Sequence, residues 1–508
     1  MTSPKPAAPA KRKKTSGNKK SVRRITRKPP PYSYGDIPDD VFGAKSEPRE
    51  PHGPQAPHLI IDDRFAYLID NPDLYTAAGS LPAPAPVGRR SHYPPVVYLI
   101  FLCSISVFGS ARGTAAYFQC EGWWDRVRAA VRTHVGDDAA DALRPTGPTR
   151  SNWNYYFRHH LKPALEKLRD LSGELWVEQA LAQGMLCDTG KRTSRVRPER
   201  QQVIHGDATV AKPPSSHSEP VTEDKRTGEI RYHRVDPDAG VSIEGGDKLV
   251  YGNKFLSTAV RLANTPHSRV ILAIESIRHK SVEEDPERES EGTALVTMVK
   301  RIIKRARGTK AVTYDVALRG RHRAPLIADG LVVFSPQHDG LTPESLMRYK
   351  GKDCTCSHDL YVAEGRVCKR QMTDDGKTHY TPLLVEELEC REGKKIRFYH
   401  RITVDCPEKT HTFRIRVDET DEDRQIDPKT GRQRFNRTEH LRQVPPGTPA
   451  ARRLKGFRQD SESIHSRFDQ AYPHERVPAY GARGALLIYI GYAWMGNSIT
   501  RALNTIHS

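Results

Sequence analysis

Apolar and polar positions divide the chain into a helical first part and a strand-rich second part. From residue 58 to about residue 183, apolar side chains recur at helical spacing, and residues 96–109 predict a buried helix. Beyond residue 201, short apolar or alternating runs bounded by polar residues predict strands instead. The strands predicted in this part are residues 202–210, 248–257, 270–277, 311–314 and 331–334.

Helical patterns lie between and after these strands. Residues 293–307 predict a helix with an apolar stripe and a basic opposite side, and residues 456–470 predict a polar one. Residues 485–506 are strongly apolar, and we expect them to form a helix that packs on the sheet and supports the polar helix. The chain order of three strands, a helix and a strand predicts an α/β core.

Residues 335–453 interrupt this order with short alternating runs that predict β-hairpins. The segment contains five cysteines, including the compressed sequence CTCSH, whereas zinc sites usually show C-x₂₋₄-C pairs. Ordinary buried cysteines are therefore favoured here over a structural zinc site. The five are Cys354, Cys356, Cys368, Cys390 and Cys406.

The charge balance favours a polyanionic partner. The 508 residues carry a formal net charge of +19, which fits a nucleic-acid-binding protein but also a ribosome-associated or membrane-surface protein. Residues 1–30 contain eleven lysines and arginines and no acid. Such a segment buries too little apolar surface to order itself. A DNA-binding arm is favoured over a solubilising tail.

Cysteine usage and the N-terminus indicate an intracellular protein. Eight scattered cysteines form no dense disulfide framework and suit a reducing cytosol. The basic N-terminus lacks the apolar core of a signal peptide. Residues 96–109 are too short to cross a membrane. We expect a cytoplasmic protein with no membrane partner.

Acidic residues stand out in two of the predicted strands. Asp207 interrupts an apolar strand in which His205, Asp207 and Thr209 point to one face. An acid there is costly to bury unless it is paired or binds a cation, although an aspartate that caps a turn at a strand end is the alternative. Asp315 ends a later strand, at the edge where functional groups collect in open α/β sheets.

A third acid lies on the polar helix. Arg458, Glu462, His465 and Asp469 share one face of that helix, which is either functional or simply solvated. His465 is expected to be a packing residue. Together with the two aspartates, Glu462 completes a set of three carboxylates. Such a set can hold two Mg²⁺ ions for phosphodiester chemistry.

In this order the motifs resemble those of DDE transposases of bacterial insertion sequences. The resemblance is carried by HGDATV, LVYGNKF, VTYDVALRGRHRAPL before GLVVF, and RQDSESIH. The spacing of Arg458 and Glu462 matches part of a signature of transposases with a β-rich insertion. That signature also has a tyrosine three residues before the arginine and a lysine seven residues after the glutamate, where this chain has Lys455 and Asp469.

The resemblance implies an α/β ribonuclease-H-like catalytic core with a mixed sheet, an N-terminal helical region and a β-rich insertion. The implied parts are residues 1–57, a basic, proline-rich disordered tail; 58–200, a helical DNA-end-binding region; 201–335, the first part of the core; 336–455, the insertion; and 456–508, the last part of the core.

The resemblance also implies an enzyme that cleaves transposon ends and joins them to target DNA. Asp207, Asp315 and Glu462 would bind Mg²⁺, with Mn²⁺ as a substitute. The partners would be double-stranded terminal repeats and target DNA, with a homodimer on paired ends, in the nucleoid of a bacterial cytoplasm. A catalytically inactive DNA-binding descendant and a hydrolytic nuclease of the same fold are the alternatives. Candidate DNA contacts are Arg458, Lys254, Arg319, Arg321 and His322.

Overall fold

The structure is a computed structural model. It describes residues 32–43, 57–79, 81, 92–188, 190, 194–224, 226–244, 248–277, 290–338, 340–351, 355–374, 376–428, 431 and 433–505. The basic segment 1–30, predicted to be a DNA-binding arm, lies outside the described residues.

Helices dominate the first part of the chain and also the end. In the described ranges the α-helices are α1 (Ile61–Ile69), α2 (Pro72–Gly79), α3 (Pro95–Phe108), α4 (Ala111–Phe118), α5 (Glu121–Val135), α6 (Asp137–Asp141), α7 (Arg150–Tyr156), α8 (Leu165–Ala182), α9 (Glu291–Ile303), α10 (Gly320–Ala328), α11 (Arg437–His440), α12 (Pro449–Gln470) and α13 (Ala482–Thr505). A π-helical turn, Phe157–Leu161, and 3-10 turns at Arg200–Gln202 and Pro473–Glu475 complete the helical elements.

Strands are the main regular secondary structure between α8 and α12 in the described ranges, as the alternating runs predict. In the described ranges they are β1 (Tyr32–Tyr34), β2 (Val203–Ala211), β3 (Val221–Glu223), β4 (Ile230–Tyr232), β5 (Gly240–Glu244), β6 (Lys248–Arg261), β7 (Arg269–Ile277), β8 (Ala311–Thr313), β9 (Val332–Phe334), β10 (Glu344–Lys350), β11 (Ser357–Ala363), β12 (Arg366–Met372), β13 (Thr378–Pro382), β14 (Leu384–Arg391), β15 (Arg397–Asp405) and β16 (Thr410–Arg416). All five predicted core strands are confirmed.

Helix α3 forms the centre of the N-terminal helical part. Its residues from Val96 to Val107 are all buried, as expected for a helix that is apolar on all sides. Helix α13 packs against it, and a Cβ at Gly491 would lie only 2.8 Å from the carbonyl oxygen of Leu102. Glycine therefore permits this close approach. Among the described helices no single one is long and apolar enough to cross a membrane, and α3 with α4 passes that test only as a pair bent by 113°.

The central sheet is mixed, so the prediction of a mixed α/β core is confirmed. β5 and β7 pair with successive parts of β6, and the order continues through β2, β8 and β9. β6 is antiparallel to β2 and to β7, whereas β8 is parallel to β2 and β9 is parallel to β8. The C-terminal ends of β2 and β8 therefore point the same way.

Helices cover both faces of this sheet. On one face, His465 of α12 contacts Asp207 of β2. On the other face, a Cβ at Gly206 would lie 3.0 Å from Leu295 of α9 and 3.0 Å from Tyr314. Alternate residues of β2 thus face α12 and α9, as a strand requires. Helix α13 packs on β7, which confirms that it lies against the sheet.

The β-rich insertion between β9 and α12 forms two sheets, and the N-terminal strand β1 joins one of them. One has the order β1, β13, β12, β11, β10, and the other has the order β14, β15, β16. The side chain of Gln443 accepts a hydrogen bond from the Val333 amide over 2.8 Å and donates one to the Leu331 carbonyl over 3.0 Å. These bonds tie the returning chain to β9.

Two predicted boundaries differ from the structure. Residues 32–43, predicted to belong to the tail, are ordered on the insertion: β1 pairs with β13, Phe42 is fully buried, and buried Asp40 pairs with Arg366. Helix α12 begins at Pro449, inside the predicted insertion. Thr448 accepts a hydrogen bond from the Ala451 amide over 3.2 Å, and a proline at the first helical position is well tolerated.

Candidate functional site

Strand register sets Asp207 level with Asp315. His205 pairs with Thr313 across the parallel strands β2 and β8, and each aspartate lies two residues further along. The two carboxyl groups therefore reach the same face of neighbouring strands. Each is held by an amide: Ala208 donates to Asp207 over 3.0 Å, and Ala317 donates to Asp315 over 2.8 Å.

Helix α12 brings Glu462 to the two aspartates. Arg458 donates a hydrogen bond to Glu462 over 2.9 Å, and another nitrogen of its guanidinium lies 3.9 Å from a carboxylate oxygen of Asp207. Asp207 and Glu462 thus flank one guanidinium, and Asp315 lies near enough for its charge to raise the pKa of Asp207 and for Arg458 to lower the pKa of Asp315. Glu462 keeps 54% of its side chain exposed, whereas Asp207 keeps 14%, so the site opens to solvent on the Glu462 side.

The carboxylates disfavour one another's charge. Burial raises the pKa of Asp207 to about 7; Arg458 opposes this rise, and Asp315 and Glu462 add to it. Burial also raises the pKa of Asp315, and the charge of Glu291 adds to the increase. Arg458 therefore compensates the clustered negative charge incompletely, which is the electrostatic condition that favours a bound cation.

His465 connects Asp207 to the neighbouring strand. Its Nε2 lies 3.1 Å from the hydroxyl of Ser257, and its Nδ1 lies 3.6 Å from Asp207. Ser257 is the cross-strand partner of Asp207. Burial lowers the pKa of His465 to about 4, so the ring is neutral at pH 7. It packs and orients Asp207 and does not form a true ion pair with it.

A fourth acid, Glu291, lies beside the site and was missed in the sequence analysis. It is the first residue of α9. Its carboxylate pairs with Lys254 over 2.5 Å and accepts a hydrogen bond from the Tyr314 hydroxyl over 2.5 Å. Lys254, a candidate DNA contact, is therefore engaged inside the protein. An acid in the first turn after a serine cap, Ser290, is an ordinary helix-start pattern, so the sequence offers no separate signal for it.

The other candidate DNA contacts differ in exposure. The side chain of Arg319 is 51% exposed and lies 3.4 Å from Glu439. Arg321 is exposed and lies beside His322. His322 is buried, and its Nδ1 accepts a hydrogen bond from the Arg319 amide over 3.2 Å. A DNA contact by His322 would require the ring to leave the start of α10.

A large arginine-rich cleft lies beside the other side of α12. Its volume is about 2070 Å³, and it is lined by segments from the helical part, the β6–β7 connection, α12 and α13. Among the described residues that line it, Asp460 is the only acid. The basic residues that line the cleft are Arg64, Arg197, Arg200, Arg261, His267, Arg269, Arg452, Arg453 and Arg467.

Asp460 organises the floor of this cleft. It is buried and pairs with Arg200, and its other oxygen lies 2.5 Å from Arg261. Arg269 lies 3.9 Å away. Burial alone would raise the pKa of Asp460, but neighbouring His205 and the arginines hold it below its usual value. Asp460 was not predicted from the sequence; it lies two residues before Glu462 on α12 and points to a different side of the helix.

The donor set fits a hard divalent cation. Asp207, Asp315 and Glu462 supply only carboxylate oxygens, the ligands that Mg²⁺ and Mn²⁺ prefer.

Comparisons with known proteins find no family model and no curated protein that matches this chain.

Proposed function

We propose that the protein is a DDE-type DNA transposase that cleaves transposon ends and transfers them to target DNA. The observation that carries the proposal is that Arg458 lies between Asp207 and Glu462 while the charges of Asp315 and Glu462 both act on Asp207. The three acids come from a strand, from the end of a parallel neighbouring strand and from a helix distant in sequence. A protein that only binds DNA gains nothing from clustering negative charge beside a polyanion.

The sheet topology supports the same proposal. Three antiparallel strands followed by two parallel strands, with helices on both faces, are the order of a ribonuclease-H-like core. In that arrangement Asp207 lies on the first strand of the core, Asp315 follows the fourth, and Glu462 lies on a helix after the insertion. The β-rich insertion accounts for the long separation of Asp315 and Glu462 in sequence.

Asp207, Asp315 and Glu462 would hold two Mg²⁺ ions. When bound, such ions supply activation of the attacking oxygen and stabilisation of the leaving oxygen. Asp207 and Asp315 fix the inner side of the site because amides hold their carboxylates. Glu462 is exposed and can adjust as DNA enters. Arg458 can turn from Glu462 to a phosphate oxygen beside the scissile bond. The same site would serve end cleavage and then attack by the freed 3′-hydroxyl.

The basic cleft supports a DNA partner. Arginines from separate segments converge on one groove, and arginine is well suited to phosphate recognition. The formal net charge of +19 adds long-range attraction for DNA.

The test uses the purified full-length protein, Mg²⁺, and linear duplexes that carry the DNA flanking its own gene, with a plasmid as target. Joined products are detected by sequencing across new junctions. We expect junctions with the unaltered protein. Asp207→Asn, Asp315→Asn and Glu462→Gln should each reduce joining by about 100-fold to 1000-fold or more while duplex binding persists, a size typical for loss of a group that stabilises the transition state.

Asp138→Asn, which changes an exposed acid on α6, is the matched control and should join ends normally. Retained joining in any of the three site variants overturns the assignment of that residue. Cleavage without joining from pre-cut ends would instead identify a hydrolytic nuclease. Binding without cleavage by the unaltered protein would identify an inactive DNA-binding descendant.

A further inference from the structure

The insertion gathers two cysteines and a histidine from separate strands. Cys356 directly precedes β11, Cys406 directly follows β15, and His411 lies on β16. Their ligand atoms all lie within 4.8 Å of one another. This grouping is independent of the carboxylate site and of the function proposed for it.

The distances in this cluster fit a tetrahedral metal. Nε2 of His411 lies 3.2 Å from the sulfur of Cys356 and 3.4 Å from the sulfur of Cys406. Zinc bonds of about 2.3 Å to sulfur and about 2.0 Å to nitrogen place two such ligands about 3.5 Å apart at a tetrahedral centre. Both sulfurs can therefore contact a metal that His411 binds, with little movement of the chain.

The turn after Cys406 presents a backbone donor to its sulfur. The amide of Lys409 donates to Cys406 Sγ over 3.4 Å, an interaction that stabilises a thiolate. The thiol proton of Cys406 has the Lys409 carbonyl, 2.9 Å away, as its acceptor, a contact that a metal-bound thiolate would give up. The turn thus supplies the outer contacts that orient a metal ligand.

A buried histidine beside the cluster has no hydrogen-bond partner in the described part of the chain. His358 is 5% exposed, and neither of its ring nitrogens is satisfied there. Its ring stacks on Tyr349, whose edge also meets the ring of His411 at 5.6 Å between centroids. A buried imidazole without partners is costly. Since His358 lies two residues after Cys356, it is a candidate for the fourth position.

We propose that Cys356, Cys406 and His411 form a structural zinc site that fastens the two sheets of the insertion together. Cys356 adjoins a strand of the five-stranded sheet, whereas Cys406 adjoins a strand of the three-stranded sheet and His411 lies on one. Thiolate and imidazole are ligands that select zinc over Mg²⁺. Ordinary buried cysteines were predicted because CTCSH is more compressed than the usual C-x₂₋₄-C pairs of zinc sites, and only the fold brings Cys406 and His411 to Cys356.

The experiment measures zinc in the full-length protein purified from zinc-supplemented medium, by elemental analysis and native mass spectrometry. We expect about one zinc per chain, in accord with the one cluster of this kind among the described residues. Cys356→Ser and Cys406→Ser should each lose most of it. Cys390→Ser changes a half-buried cysteine of the same three-stranded sheet and should keep it. Cobalt substitution should give thiolate-to-cobalt charge-transfer absorption that the two site variants lack.

Two further variants separate metal binding from folding. Cys406→His keeps a metal ligand and should retain zinc where Cys406→Ser does not, even if both are less stable. His358→Gln should weaken zinc retention against a chelator if the ring completes the site. The proposal is overturned if the unaltered protein carries less than about a tenth of an equivalent of zinc, if Cys390→Ser loses zinc equally, or if Cys356 and Cys406 are joined in a disulfide.

Discussion

Arg458 and Glu462 are joined by a 2.9 Å hydrogen bond one turn apart on α12, and the same guanidinium lies 3.9 Å from Asp207. Arg458 lowers the pKa of both Asp207 and Asp315, opposing the repulsion among the carboxylates. Arg458 therefore favours the ionised form of both aspartates in the absence of a bound cation or DNA.

Removing this arginine should shift the pH dependence of catalysis. In Arg458→Gln the pKa of Asp207 rises from its value of about 7, because the neighbouring positive charge that lowers it is gone. We expect the acidic limb of the cleavage profile to move to higher pH by about one unit. Lys455→Gln, an exposed change on the same helix, is the control. An unmoved acidic limb would show that Arg458 does not tune the carboxylates.

Binding of Mg²⁺ should release a proton below pH 7. Asp207 has a pKa of about 7 in the metal-free protein and must be ionised to bind a cation. Calorimetry in buffers of different ionisation enthalpy should count about one proton released at pH 6 and almost none at pH 8. Affinity should rise with pH up to about 7 and then level. Asp207→Asn should abolish this proton release; the same release from that variant would assign the proton to another group.

Titration of Asp207 should also make the stability of the metal-free protein depend on pH. This dependence should run opposite to that of Mg²⁺ affinity, because stability falls as pH rises. The pKa of Asp207 is about 7 in the folded state and about 3.9 in an unfolded chain. The folded state therefore binds the extra proton between these values, and Asp207 makes stability fall as pH rises through that window. Asp207→Asn should raise the free energy of unfolding at pH 8 by on the order of a few kcal/mol and change it little near pH 4. Denaturant titrations at both pH values test this, and equal effects at both would contradict it.

Glu291 should affect both the free energy of unfolding and the pKa of Asp315. Glu291→Gln removes the charge that pairs with Lys254 and weakens the acceptor of the Tyr314 hydroxyl. We expect a loss of about 1–3 kcal/mol in the free energy of unfolding. We also expect a lower pKa for Asp315, because the charge of Glu291 raises it. Glu174→Gln, which removes an exposed partner of Arg305, should cost less than about 1 kcal/mol. NMR titration of the aspartate carboxyl groups checks the pKa, and an unchanged Asp315 would rule out the coupling.

Much of the framework was predictable because it depends on local periodicity. The strands β2, β6, β7, β8 and β9 correspond to apolar runs in the sequence, and each forms where its run predicts a strand. Asp207 and Asp315 were recognisable since each is an acid where apolar residues dominate. Their alignment follows from a parallel register that the sequence indicates only through the order of its elements.

What escaped prediction depends on contacts between distant segments. Glu291 looks like an ordinary first-turn acid until the fold brings Lys254 and Tyr314 to it. Cys406 and His411 approach Cys356 only because two sheets meet. Residues 32–43 were assigned to the tail because their composition is polar and proline-rich, yet Phe42 and Asp40 find buried partners in the insertion.

The arginine cleft should bind the phosphate backbone of DNA. Arg452 and Arg467 are exposed on α12 and line the cleft, so replacing both by glutamine removes charge without disturbing buried Asp460. Each lost phosphate contact should reduce the slope of log affinity against log salt concentration by about 0.9, or by about 1.8 for both. Fluorescence anisotropy with a duplex of arbitrary sequence measures the slope from low to physiological salt. Arg132→Gln, which changes an exposed arginine of α5 paired with Asp137 and Asp141, should leave the slope unchanged. An unaltered slope in the double variant would place the DNA on another surface, because a salt-dependent phosphate contact cannot be lost without changing the number of counterions released.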